Sequence, residues 1–509
     1  MDTWLITLLL FVGSISLFYL FLIWNYGGWK RRGVPEAKSY PGIGSLPSLF
    51  TQKRNFLYDL DEIYRKYRDT NKFVGAYSGR APMLLILDPE LVHRIHVNDF
   101  KSFHDNEFGD YIDEKSDIIA FNNPFFLRGE SWKERRADLV PGMSPIGIKS
   151  IYPVTLEKCK RLSHFIRDQM KTKAKEGGLD AHDLCLRFTT EVVSDCVLGV
   201  NVGTINDQPS TLLDMIKNLF TLTPSQIIYQ LTIAFLPSLK KYLKATFFSR
   251  ASTKYFFDLM ADSIRLRRQE QSNKNRADFL NFLLQLQEKK KLSNTILTAN
   301  AMTFLTDGFL TTAHSISNCL LGLARYPESQ EKLRAEIMEN INEEGIVSYD
   351  KLTEMPYLDA CFNEALRLFP PVAMNSKLCT QPYEFVNNDG QVLHMKPGEA
   401  ATICYYSIHH DERYYEDPEE YKPERFLPEN GGVKKYREEG KYMGFGDGPR
   451  ICMGMRFGST QAKAAIVEIV RNFYVKSNPK TRSDNLLDKK EFIPALDGGV
   501  WLDFEPING

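Results

Sequence analysis

Between residues 293 and 324 the chain carries one formal charge, Asp307. Ser293 or Asn294 can cap a helix start there, and Pro327 lies just past its end. Such a helix would run roughly 48 Å. A helix that is apolar nearly all round needs neighbours on every side, so it must cross the core of a large protein. The Thr, Ser, Asn and His residues that punctuate it argue against a membrane span. Burying an unpartnered acid is expensive. Asp307, beside Gly308 and the pair Thr311-Thr312, therefore reads as functional; the alternative is an acid paired to a distant arginine.

The rest of the 509-residue chain is mostly helical in pattern. Apolar residues recur at helical spacing through 55–68, 150–172, 185–200, 253–288 and 330–342. Shorter β-prone pieces fall at 73–87, 383–404 and 499–502. Strand and helix do not alternate, so a mainly α fold with small β-sheets is expected instead of a doubly wound parallel sheet. No Gly/Ser-rich linker, low-complexity tract or repeat divides the chain after residue 50. One large domain is expected. Lys+Arg and Asp+Glu number 64 each, which removes the net-charge argument for a nucleic-acid partner. The eight cysteines are scattered, with no CxxC pair and no zinc spacing. They read as reduced thiols in a cytosol-facing protein.

Residues 4–24 form an uncharged stretch of 21 residues rich in Leu, Ile, Phe and Val, with Trp4 and Trp24 at its ends. That length spans a hydrocarbon core, and tryptophans suit both interfaces. Lys30, Arg31 and Arg32 follow, so the positive-inside rule puts the remainder in the cytoplasm. A cleaved signal peptide fits less well: the apolar run is too long and the basic cluster follows it. The expected organisation is a membrane anchor at 1–29, a basic and Pro/Gly hinge at 30–45 with Pro35, Pro41 and Gly42, and a catalytic domain at 46–509. The stretch 227–248 mixes Ile, Leu and Phe with Lys240, Lys241 and Lys244, which suits a surface dipping into a headgroup layer.

Late in the chain, residues 445–454 read Phe-Gly-Asp-Gly-Pro-Arg-Ile-Cys-Met-Gly. A cysteine between glycines and an arginine suggests a thiolate in a tight loop beside a cation. Haem iron takes such a thiolate as an axial ligand. Glycines let the backbone approach a flat macrocycle, and Arg450 can meet a propionate. The alternative is a buried, inert cysteine in a Gly-rich turn.

The full pattern Phe-x-x-Gly-x-Arg-x-Cys-x-Gly resembles the haem-binding loop of the cytochrome P450 family. The resemblance extends along the chain in order: anchor, hinge, Trp132-x-x-x-Arg136, long helix, Glu364-x-x-Arg367, Pro423-Glu424-Arg425-Phe426 and the Cys452 loop. Details such as Phe445 and the 276–280 stretch look like animal microsomal members, with the insect detoxification group as the narrower placement. The resemblance implies one large haem domain behind an N-terminal transmembrane helix. It implies haem b held by Cys452, with Phe445 and Gly454 in the loop and Trp132, Arg136, Arg450 and Lys377 toward the propionates. It implies a structural triad of Glu364, Arg367 and Arg425. Substrate-lining positions carried over are Phe304, Asp307, Thr311, Val372, Ala373, Met374 and Leu496. The implied activity is a monooxygenase acting on apolar small molecules of xenobiotic, hormone, steroid or fatty-acid type. NADPH would act indirectly, through a flavoprotein reductase in the endoplasmic-reticulum membrane, with cytochrome b5 as a second donor.

One motif departs from the family. Its central helix carries (Ala/Gly)-Gly-x-(Asp/Glu)-Thr-(Thr/Ser), and here the segment is Asp307-Gly308-Phe309-Leu310-Thr311-Thr312. Leu310 replaces the acid that helps deliver protons. Asp307 shares Thr311's helix face, so it is expected to supply the missing carboxylate; the competing reading is that it binds a basic or hydroxylated substrate by a charge-assisted hydrogen bond. Two rivals remain: a haem-thiolate isomerase or dehydratase that needs no O2, and a haem sensor or carrier without turnover. His409 and His410 are adjacent and lack further ligands nearby, so a metal site is not expected there. Lys289 to Lys291 read as a solvated helix end.

Overall fold

A computed structural model describes residues 3–110, 112–173, 177–206, 209–217, 223–243, 246–269, 276 and 278–507. The uncharged amino-terminal stretch forms the helix Thr3–Ile23, none of whose residues is buried. Its length and composition suit a membrane span. Lys30 and Arg31 lie in a short helical turn, Gly28–Arg31. Arg32 is not free to face a membrane: its guanidinium bonds both carboxylate oxygens of Glu399, at 2.8 and 3.0 Å. The connector is pinned to the domain, with the Tyr26 hydroxyl donating to Gly79 O and Glu36 bridging to Gly75.

The central helix Asn294–Arg325 is capped by Ser293, whose Oγ accepts the Ile296 N–H. It packs against helices Ala181–Leu198, Pro356–Leu368, Phe279–Lys290, Ile118–Asn122 and Met455–Asn472. A helix without a polar stripe needs this enclosure to bury its apolar surface on all sides. The helix expected at 150–172 begins earlier, at Pro145, because the Ser144 Oγ accepts the Gly147 N–H and proline suits a first turn. The continuous stretch expected at 253–288 is two helices, Arg250–Gln269 and Phe279–Lys290. Asp278 caps the second by accepting the Asn281 N–H and pairs with Arg267 at 2.6 Å. Local capping therefore overrides continuous apolar periodicity.

Strands β1 (Phe73–Ser78) and β2 (Ala81–Ile86) form an antiparallel hairpin. They join β3 (Asp105–Asn106), β5 (Met374–Leu378) and β8 (Ala400–Cys404) in a sheet of order β1-β2-β8-β5-β3. The β2–β8 contact is parallel, and the others are antiparallel. Strands β4 (Leu179–Asp180), β9 (Phe473–Ser477) and β10 (Trp501–Pro506) form a second sheet, and β6 (Tyr383–Val386) pairs with β7 (Val392–Met395). The last strand starts at Trp501 instead of residue 499, because Gly499 has φ +81°. Asp105 of the two-residue strand β3 meets Arg450 of the Cys452 loop, and β5 places Lys377 opposite Asn106.

Candidate active site

The Cys452 loop closes on itself: Phe445 O accepts the Cys452 N–H at 2.9 Å. Gly448 needs its lack of a side chain. Its φ is +66°, and an added Cβ would lie 1.9 Å from His96 O. The loop runs straight into helix Met455–Asn472, so Cys452 sits at the positive end of that helix. Phe445 packs on Phe362, with ring centroids 6.2 Å apart.

Cys452 is the one exposed cysteine; the other seven are buried. Desolvation nevertheless pushes its thiol up to about 11, with the Gly454 amide and Arg136 pulling the other way. The residue is accessible and its sulfur is at the same time surrounded by enough protein to be desolvated. Built Cβ atoms on Gly446 and Gly454 meet nothing within 4 Å, so this side of the loop is open.

Cations gather at one edge. The Arg450 guanidinium lies 4.2 Å over the Trp132 ring and donates to Leu127 O at 2.8 Å and to His104 O. It pairs with Asp105 at 3.3 Å. Arg136, one turn after Trp132, donates to Ile451 O at 2.7 Å. Lys377 is fully enclosed and donates to Asn106 Oδ1 at 2.8 Å. Burial, with Arg450 beside it, holds its ammonium down at about 7. Burial also lowers Arg450, to about 10. Among the described residues Asp105 is the carboxylate that offsets Arg450 and Lys377. Desolvated cations in excess over carboxylate fit an anionic ligand, and two propionates match that demand. An accessible thiol, glycines that leave one side of its loop open, and a cationic edge together fit haem.

The central helix supplies the opposite wall. Asp307 is exposed, although its neighbours Thr306 and Phe309 are buried. Desolvation raises its carboxyl to about 6, against weaker lowering by Thr306 and Asn123. The negative charge of Asp307 also helps raise the Cys452 thiol, so the two groups lie near each other. The Thr311 hydroxyl donates to the main-chain oxygen of Asp307 at 2.6 Å. The Asp307 carboxylate instead accepts from Asn123 Nδ2 at 3.4 Å and Thr306 Oγ1 at 3.1 Å. No direct bond joins the Thr311 hydroxyl to that carboxylate. Val372 and Met374 keep accessible surface, whereas Phe304, Ala373 and Leu496 pack into the core. The Phe304 ring sits 4.1 Å from that of Phe279.

A family model described as Cytochrome P450 matches residues 34–496. The chain belongs to the cytochrome P450 family. It is 49% identical over 490 residues to Probable cytochrome P450 28d1 of Drosophila melanogaster, covering 96% of each chain. Probable cytochrome P450 28a5 of the same species is 43% identical over 506 residues, 99% of this chain and 100% of the relative. Cytochrome P450 9e2 of Blattella germanica is 30% identical over 518 residues. These relatives agree with the insect placement. Membership makes the protein a haem-thiolate monooxygenase, with haem on a cysteine thiolate, a redox-partner reductase and small-molecule substrates.

Within this cytochrome P450, the buried charges of helix Pro356–Leu368 are fully matched. Arg367 bonds both oxygens of Glu364 at 2.8 Å, and Arg425 Nε reaches Glu364 Oε1 at 3.3 Å. Arg367 also donates to the carbonyls of His409, Pro418 and Glu420. His409 accepts the Met443 N–H through Nε2, and His410 Nδ1 bonds Tyr406 O. Both histidines are buried in packing contacts. The sequence reading missed Asn123, Asp105 and Asn106. Asn123 sits in Asn122-Asn123-Pro124, which signals a turn but no partner.

Proposed function

We propose that this chain is a membrane-anchored monooxygenase of apolar small organic molecules, of xenobiotic, hormone, steroid or fatty-acid type. Its electrons would come from an NADPH-dependent flavoprotein reductase, with cytochrome b5 as a second donor. The observation that carries the reading is Cys452: the one exposed thiol of the eight cysteines, in a tight loop whose Ile451 carbonyl takes the Arg136 guanidinium. Haem bound there supplies the insertion of one O2 atom into substrate and the release of the other as water. Cys452 provides the sulfur ligand, and the Gly448 turn presents it. Arg136, Lys377 and Arg450 hold anionic groups at one edge, with Trp132 stacked beneath Arg450. Thr311 keeps a hydroxyl on the accessible side of the central helix and can pass a proton. Leu310 has no proton to pass. The Asp307 carboxylate is turned to Asn123, so we assign the proton route to Thr311.

Membrane attachment rests on the anchor helix and a second patch. Helix Pro224–Phe235 exposes Ile227, Ile228 and Leu231, and Tyr242 and Leu243 follow it. Lys244 lies outside the described residues, as do the side chains of Lys240 and Lys241. Arg80 ties the two patches together: it stacks on Phe21 at 3.9 Å and donates to Phe235 O at 2.5 Å. Apolar surface of this kind suits a headgroup layer. We place the anchor in the endoplasmic-reticulum membrane and the domain, residues 46–509, on its cytoplasmic face.

The test is Cys452→Ala. The purified variant should lose the red-shifted Soret band of the reduced carbon-monoxide complex, and a retained band would reject the ligand assignment. Wild-type protein with reductase, NADPH and O2 should form oxygenated product. Turnover that needs no O2 would favour an isomerase or dehydratase, and haem binding without turnover would favour a sensor or carrier.

A further inference from the structure

Among the described residues, every buried Asp and Glu except Asp117 has an arginine or lysine within ion-pair distance. Asp117 is satisfied differently, by the N–H groups of Ala120, Phe247 and Phe248. Asp307 has neither solution. It lies midway along the central helix, and no lysine or arginine among the described residues pairs with it. Asn123 Nδ2 reaches its two oxygens at 3.4 Å each, and Thr306 Oγ1 reaches Oδ1 at 3.1 Å. A carboxylate offers about four lone-pair directions. Acceptor capacity is therefore left over on a carboxylate that keeps accessible surface. The Thr311 hydroxyl bonds the main-chain oxygen of Asp307 and adds no donor to its carboxylate.

We propose that Asp307 selects substrates bearing a protonated amine on an apolar body. The ammonium would supply the countercharge that the protein withholds, through a charge-assisted hydrogen bond in a desolvated site. Asn123 is the positioning residue: buried, and itself held by the Phe125 N–H on its Oδ1 at 2.8 Å, it orients the carboxylate. A substrate hydroxyl would gain less, because a neutral donor makes the weaker bond. The proposal rests on the haem-thiolate reading, which puts substrate against Asp307.

The experiment titrates the holoenzyme with dimethyl(phenylpentyl)amine and with the hydrocarbon in which C–H replaces its nitrogen. A tertiary amine is used because its crowded nitrogen is a poor iron ligand. Affinities are measured by calorimetry for wild type and Asp307→Asn. The amine should lose about tenfold or more in affinity in the variant, and the hydrocarbon less than about twofold. Hydrocarbon binding thus serves as the control for an intact cavity. Amine affinity that survives the substitution overturns the proposal, and so does an equal loss for both ligands. Normal binding of both ligands with less product per NADPH would overturn it too, assigning Asp307 to proton delivery. The reduced carbon-monoxide spectrum, read separately on the same samples, tests the haem-thiolate reading, so the two failures are told apart.

Discussion

Glu364 and Asp307 are both acids on helices inside the protein, and they are treated in opposite ways. Glu364 receives Arg367 twice, Arg425 and the Lys422 N–H, all within 3.3 Å. Nothing of it is left for a ligand, and none of it is exposed. Asp307 receives one amide, at long range, and one neighbouring hydroxyl. A buried charge that is fully matched holds elements together; one left partly unmatched and facing a cavity is available to whatever enters. The stability each acid contributes should differ in sign.

Removing Glu364 should have the largest effect. Glu364→Ala strands two guanidinium groups in the core and should cost about 3–5 kcal/mol, with haem loading lost in parallel. Urea titration of the detergent-solubilised protein measures it, and a loss under about 1 kcal/mol would remove the triad from the stabilising framework. Arg425→Met should cost less, about 1–2 kcal/mol, because Arg425 makes only one long bond to Glu364 and Arg367 keeps its pair. A cost equal to that of Glu364→Ala would mean that the triad acts as one unit.

Asp307→Asn should show the smallest change, and in the other direction. It removes an uncompensated charge and should raise stability at pH 7 by on the order of 1 kcal/mol. The sign follows from linkage. The folded carboxyl sits near 6, above the ordinary 3.8. Ionised Asp307 therefore penalises the folded state above pH 6, and the penalty is relieved as pH falls from about 6 to 3.8. Wild type should gain on Asp307→Asn across that window. A constant difference between the two proteins from pH 7 to pH 4 would show that Asp307 has a compensating partner.

Motifs were legible in the sequence where spacing along the chain sets the neighbours. Trp132 and Arg136 lie one helical turn apart, as do Glu364 and Arg367, and each pair frames one feature. Apolar periodicity runs through 253–288 without marking where one helix ends and the next begins. The break is made by Asp278, whose pairing with Arg267 is a contact between separate helices. The substrate-lining positions depended on family analogy, which could not weigh the packing of Phe304 on Phe279.

By itself the sequence determined the Cys452 loop, the enclosed central helix and the apolar amino-terminal helix. Each is contiguous, so glycine conformation, capping and hydropathy act within a few turns of chain. Only the tertiary structure decided which acids are matched. Arg425 reaches Glu364 across 61 residues, and Asn123 reaches Asp307 across 184. No local rule sets such meetings, because they follow from how the helices pack around the central one. That packing encloses Glu364 with its cations and leaves Asp307 with accessible surface near Cys452.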